Sequence, residues 1–303
     1  FVAPFTRSQS PWDAVKYKDA QQAFTLAQTQ LDYYRRLADN TERVRIIETN
    51  ADLDAVLATW EPDVPVTGRQ QGIVLLMENA DPIREPEELE RWLEQGLRIV
   101  GPAWMASRYT GGTGQPGALT DLGHDLLDIM ADHNMVLDLS HMAEDAFLES
   151  LDRYPGSIIA SHSNPRKFCN TDRHLTDAMI RRLAERDGVM GVVLYNAFIE
   201  GTWRGTDQKS QITLQNVVNI IDHICQITGS AAHVGIGSDF DGGFGVSGIP
   251  KELDTIADLY QLAPTLRNRG YAEDDIEAIM SGNMLRKLRE GLPARHALHH
   301  SVL

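Results

Sequence analysis

Seven short apolar runs alternate with helical patterns along most of this chain, and that alternation restricts the fold more than any other feature. The runs are residues 1–5, 72–77, 97–102, 135–140, 157–161, 188–195 and 233–238. Being apolar on successive residues, they present both faces to a core, as strands of a parallel sheet covered on both sides do. Helical spacing fills the intervals. In residues 19–40, Ala20, Ala23, Phe24, Ala27, Leu31, Tyr34 and Leu37 recur near every 3.6 positions, and the run closes at Asn40. Thr120 caps a predicted helix reaching about Asn134, and Thr176 caps one ending at Gly188. Thr213 starts another, with Val217, Val218, Ile221 and Ile224 on one face and Gly229 just past the end. Strand–helix–strand units of this kind are parallel and right-handed. Residues 43–48 read as a short strand inside an insertion in the second unit.

The expectation is therefore an α/β fold, a (β/α)8 TIM barrel lacking its first strand. A closed barrel of this class has eight strands, and the run at 233–238 is followed by helical sequence to about Leu292, as an eighth strand would be. The shortfall then falls at the front, where Phe1 opens an apolar stretch without an initiator Met, so a further strand is expected upstream. One domain is expected over residues 1–292, with a tail at 293–303 that holds His296, His299 and His300. Against 43 acidic residues stand 28 Lys and Arg, a formal charge of −15. Such a surface repels nucleic acid and anionic membranes, and no apolar run approaches the roughly 18 residues of a membrane span. Cys169 and Cys225 are too few for a disulfide scaffold and form no metal-type pair. A cytoplasmic protein acting on a small molecule is the reading these features support.

The chemistry is expected where the runs finish. Residues 72–77 lead into Glu78, 135–140 into His141, 157–161 into His162 and 233–238 into Asp239. In parallel barrels the site lies at the C-terminal ends of the strands, and imidazole plus carboxylate is the ligand set zinc and similar ions take. His141 and His162 are one helix apart, hence on neighbouring strands about 4.8 Å from each other, close enough to share an ion. Glu78 could bridge two ions, which would clamp a hydroxide between them, and Asp239 is placed to take and return a proton. Each of these residues alone has a plainer reading, as a loop histidine, a helix cap or a turn; four strand ends together do not. His124, His133, His223 and His233 fall away from the expected mouth. Residues 111–117 lack the Lys-Ser/Thr of a phosphate loop and read as a flexible loop at the rim. The acidic stretch 85–94 reads as a solvated face.

These residues resemble the membrane dipeptidase family. The matching pieces are Met77-Glu78, Asp138-Leu139-Ser140-His141, Ser161-His162-Ser163-Asn164 and Gly235-Ile236-Gly237-Ser238-Asp239-Phe240-Asp241-Gly242, with Val193-Leu194-Tyr195-Asn196 and Gly282-Asn283-Met284-Leu285-Arg286 in support. The resemblance implies zinc-dependent hydrolysis of dipeptides at a binuclear centre. Glu78 would be the bridging ligand, with His141 and His162 on one ion and Asp239 as acid/base. Arg173 would bind the substrate carboxylate, its alternative being a surface ion pair with Asp172 or Asp177. A homodimer is also implied. Two departures stand out. The His-x-Asp pair that holds the family's other ion is not found near the start, and Trp104 stands about where the family carries a substrate-contacting His. Hydrolysis of another small amide, lactam or ester on the same fold remains open, as does a non-catalytic barrel with a partial metal site.

Overall fold

The computed structural model describes residues 1–7, 9–10 and 13–295; His296, His299 and His300 of the expected tail lie outside them. In chain order the strands are β1 (Ala3–Pro4), β2 (Lys16–Tyr17), β3 (Val44–Ile46), β4 (Gln71–Ile73), β5 (Leu75–Glu78), β6 (Leu97–Gly101), β7 (Thr110–Gly112), β8 (Gln115–Leu119), β9 (Val136–Asp138), β10 (Ile158–Ala160), β11 (Val189–Val192) and β12 (Val234–Ile236). Six of the seven expected runs join one sheet, in the order β12-β11-β10-β9-β6-β5. Every pairing in it is parallel. This is a TIM-barrel-like α/β fold, in which hydrogen bonds among the described residues join six strands without closing the ring.

The run at 1–5 departs from expectation. Only Ala3 and Pro4 are strand, and they pair with Lys16 and Tyr17 rather than with the main sheet. Pro4 has no N–H to offer a ladder. The segment instead docks through side chains, the Asn79 Nδ2 donating to the Val2 carbonyl at 3.1 Å. Residues 43–48 do supply a strand, β3, which pairs in parallel with β4 just ahead of β5.

The helices start where their capping residues stand. Asp19 accepts from the Gln22 amide ahead of Ala20–Asp39, Thr120 from Gly123 ahead of Asp121–Asp132, and Thr176 from Met179 ahead of Asp177–Glu185. Thr213 and Asn216 form a capping box for Leu214–Thr228, which Gly229 ends at φ 74°. Two helices stop short of the expected ends because Asn134 and Asp187 turn to φ 51° and 54°, a left-handed conformation that no helix continues through.

A continuous apolar cluster from Leu31 to Ile279 joins sheet and helices. At the start of the strands, the helix Asn283–Gly291 lays Met284 and Leu288 against Ile99, Val136 and Ile159. Its Asn283 amide donates to the carbonyls of Ala231 and Val234, at the entry to β12. That end of the sheet is plugged, which leaves the C-terminal strand ends for a site. Among the described residues no helix is long and apolar enough to cross a membrane.

Candidate metal centre and substrate cavity

Glu78 ends β5, and the chain turns at once because Asn79 adopts φ 71°. Asn79 is wholly buried and its Nδ2 also donates to the Tyr17 hydroxyl at 2.9 Å, which fixes the turn. His141 follows β9 at φ 68° and Asp239 follows β12 at φ 55°. Non-glycine residues rarely hold such backbone angles, and each costs on the order of 1 kcal/mol. Close packing sets the neighbouring strands. A methyl added at Gly191 would lie 1.9 Å from the Ser161 carbonyl oxygen, and one at Gly237 would lie 2.0 Å from it. Only glycine lets β11 and the end of β12 approach the backbone that carries His162.

Three donors converge. Glu78 Oε1 lies 3.0 Å from His162 Nε2 and 3.3 Å from His141 Nε2, and ligand atoms of all three residues fall within 4.8 Å of one another. Donors sharing a tetrahedral zinc at about 2.0–2.2 Å sit roughly 3.3 Å apart, so the spacing fits one ion. The buried Glu78 Oε1 has no directed hydrogen bond among the described residues, as suits an oxygen whose partner is a cation.

The far side of each imidazole is held. His141 Nδ1 faces the Trp104 carbonyl at 3.1 Å and the Thr113 hydroxyl at 3.0 Å. A carbonyl can only accept, so Nδ1 carries the proton and Nε2 keeps its lone pair for the cavity. His162 Nδ1 lies 2.7 Å from Ser161 Oγ, which donates in turn to the buried Asp138 carboxylate. That carboxylate also accepts from the amides of Ser140 and Ser161 at 3.0 and 2.8 Å, tying the ends of β9 and β10 together. Burial and the charges of Arg173 and His162 push His141 well below the usual histidine range. Burial lowers His162 as well, but the adjoining Glu78 carboxylate outweighs it and the net shift is upward.

The centre lines a cavity of about 1020 Å³ that also takes in Arg173, Asp239 and Trp104. Arg173 is 6% exposed. It donates to the His162 carbonyl at 2.6 Å and to Ser163 Oγ at 3.2 Å, while its buried Nε has no partner among the described residues. The surface-pair alternative is not what forms: Asp172 accepts the Gly114 amide at 2.8 Å and Asp177 pairs with His223 at 3.0 Å. Burial pushes Asp239 up to about 6; Glu78 adds to the rise while His162 and Arg173 oppose it. The Trp104 indole centroid is 6.2 Å from that of His141. Residues 111–117 are no irregular loop. They belong to the β7–β8 hairpin, whose tip puts Thr113 against His141, because its paired backbone satisfies itself at the rim. In the stretch 85–94, Leu89 and Trp92 are buried, so only part of it is a solvated face.

The family model for the membrane dipeptidases, peptidase family M19, matches residues 2–301. The chain belongs to the membrane dipeptidase family. Metallo-dipeptidase is therefore its enzyme class, and the family implies a metal cofactor. An uncharacterized Klebsiella pneumoniae protein from the pqqA 5′ region is 34% identical over 68% of this chain and 76% of its own length. An uncharacterized dipeptidase of Schizosaccharomyces pombe is 30% identical over 61% of this chain, which spans 43% of that protein. Among solved structures, a Rhodobacter sphaeroides metallopeptidase liganded with a phosphinate mimic of the dipeptide L-Ala-D-Ala superposes with a TM-score of 0.78, at 25% identity, over 90% of this chain and 76% of its own.

Relative to this membrane dipeptidase frame, sequence reasoning brought Glu78, His141, His162, Arg173 and Asp239 to one cavity but passed over the groups behind them. Asp138 carried a signal, as an acid inside an apolar run. Thr113 carried none, because only the hairpin's pairing brings it to His141. His174, wholly buried beside Arg173 with both ring nitrogens unpartnered among the described residues, was equally silent.

Proposed function

We propose that this membrane dipeptidase family member hydrolyses dipeptides with zinc held by Glu78, His141 and His162. The observation that carries the reading is the convergence of Glu78 Oε1 on two Nε2 atoms in the cavity that also holds the buried, partly unpaired Arg173. Zinc in this position supplies Lewis-acid polarisation of the scissile carbonyl and of water. Glu78 has a second carboxylate oxygen for another ion, which makes a binuclear centre the form proposed. Arg173 receives the substrate's terminal carboxylate in a charge-assisted contact, using donor capacity the fold leaves unspent. Asp239, already lifted toward neutrality by burial, takes a proton from water and returns it to the leaving amine. Residues 1–292 act as one unit around the shared core. The dipeptide mimic bound by the Rhodobacter structure, within the same fold, supports a dipeptide as substrate.

Chelated protein should be inactive on dipeptides and regain activity as zinc is restored. Asp239→Asn should bind zinc normally yet lose on the order of 100- to 10,000-fold in kcat. Full turnover after chelation, or zinc-loaded protein that leaves every dipeptide intact while cleaving a lactam or ester, would overturn this reading.

A further inference from the structure

Beside Arg173 stands a cluster of aromatic rings that the metal chemistry does not use. Phe198, in the short helix Asn196–Ile199 after β11, has its ring centroid 5.9 Å from the Arg173 guanidinium carbon. Tyr195 meets Phe198 edge-on at 5.1 Å and stacks on Phe244 at 4.6 Å with 16° between planes. Trp203, 3% exposed, backs Tyr195 edge-on at 6.2 Å, and His174 packs on Phe198 at 4.6 Å. Phe198, Tyr195 and Phe244 all line the cavity while remaining partly exposed. They form a braced apolar shelf turned toward the space that Arg173 also faces.

Charge on the same walls is one-sided. Arg173 is the only Lys or Arg among the described residues lining the cavity, whereas Asp172, Asp239 and Asp241 all line it. Once Arg173 is engaged by a main-chain carboxylate, no lysine or arginine of the wall is left for a second anion. A cavity of about 1020 Å³ has ample room for two large side chains.

We infer that the residue whose carboxylate Arg173 holds is apolar and bulky, its side chain lying on the Phe198–Tyr195–Phe244 shelf. The inference rests on the dipeptidase reading. In a C-terminal residue the carboxylate and the side chain leave the same Cα, so anchoring one on Arg173 delivers the other to the Phe198 ring, 5.9 Å from the guanidinium carbon, and to the Tyr195 and Phe244 rings packed beyond it. Burying a large apolar side chain there separates it from glycine by roughly 10- to 100-fold in kcat/KM, and a carboxylate side chain laid on the rings loses hydration without gaining a lysine or arginine of the wall.

The test compares Ala-Phe, Ala-Leu, Ala-Gly, Ala-Asp and Ala-Lys, with the C-terminal residue in both L and D forms, on the zinc-loaded full chain. Turnover and calorimetric affinity are both measured. Ala-Phe and Ala-Leu should lead Ala-Gly by roughly 10- to 100-fold, with Ala-Asp last. Phe198→Ala should lower Ala-Phe about tenfold more than it lowers Ala-Gly, and Phe198→Leu should recover most of that difference. Ala-Gly, Ala-Asp or Ala-Lys matching Ala-Phe in both measurements, or Phe198→Ala lowering every substrate by the same factor, would overturn the inference. No turnover of any dipeptide with the affinity ranking intact would overturn the hydrolase reading and uphold the shelf. Turnover without the ranking would do the reverse.

Discussion

At the ends of β9 and β10, each ring nitrogen turned away from the cavity has a partner: His141 has the Trp104 carbonyl and Thr113, and His162 has Ser161 with Asp138 behind it. Eleven residues beyond His162, the loop that holds Arg173 and His174 is no less buried but is left incomplete. Arg173 Nε and both nitrogens of His174 lack partners among the described residues. Buried polar groups are normally satisfied, so the difference is informative. The strand-end imidazoles are held against rotation, as the zinc ligands proposed for them must be. The loop keeps unspent donor capacity, which the proposed carboxylate contact uses.

The hardest way to break this contrast is at the support itself. Glu78→Ala or His162→Ala should abolish zinc retention and lower kcat/KM by more than about a thousandfold, since several kcal/mol of charge stabilisation leave with the ion. A variant that retains zinc in equilibrium dialysis and turns over normally would remove these residues from the centre.

Next comes the unfinished side. Arg173→Ala should depress kcat/KM for free dipeptides by roughly 30- to 150-fold more than for C-terminally amidated ones, the worth of a charge-assisted contact of about 2–3 kcal/mol. Equal losses on both would make Arg173 part of the scaffold, satisfied through the His162 carbonyl alone.

Thr113→Val and Ser161→Ala sharpen the comparison, because each removes a group behind a ligand without touching the ligand. Zinc affinity should fall about 10- to 100-fold in either variant, and Thr113→Ser should restore it. Unchanged affinity by competition with a chromogenic chelator would show the imidazoles to be held by packing instead.

The smallest effect concerns His174. Burial, reinforced by the charges of Arg173 and Arg166, drops its pKa from 6.5 to about 3. In the unfolded chain it protonates below 6.5 and in the folded chain it does not, so stability is complete above 6.5 and is lost as the pH falls toward 3. Between pH 6.5 and about pH 5 that amounts to about 2 kcal/mol. Urea unfolding of the chelated protein should show this acid slope, added to that of the similarly lowered His141, and His174→Phe should make it shallower. An identical slope in the variant would place the acid sensitivity elsewhere.

How legible the site was depended on where each residue sits. Glu78, His141, His162 and Asp239 follow apolar runs directly, and a run's end is visible in one dimension. Thr113 became part of the site through antiparallel pairing of β7 with β8, which places its hydroxyl 28 residues away from His141 in sequence and 3.0 Å away in space. The first run misled because hydrophobicity alone does not register that Pro4 cannot donate to a ladder, or that Asn79 will take the Val2 carbonyl through its side chain.

By itself the sequence determined the parallel α/β architecture, the helix starts and which histidine and acidic side chains stand at the strand ends. Those follow from local rules: apolar period, capping side chains, and the chain direction that puts strand ends on one face. Tertiary structure alone decided which nitrogen of each histidine faces the cavity, that Arg173 is buried without a carboxylate partner among the described residues, and that three aromatic rings share its wall. Each of those depends on contacts between residues far apart in the chain, whose geometry is set only when the sheet twists and the loops pack over it.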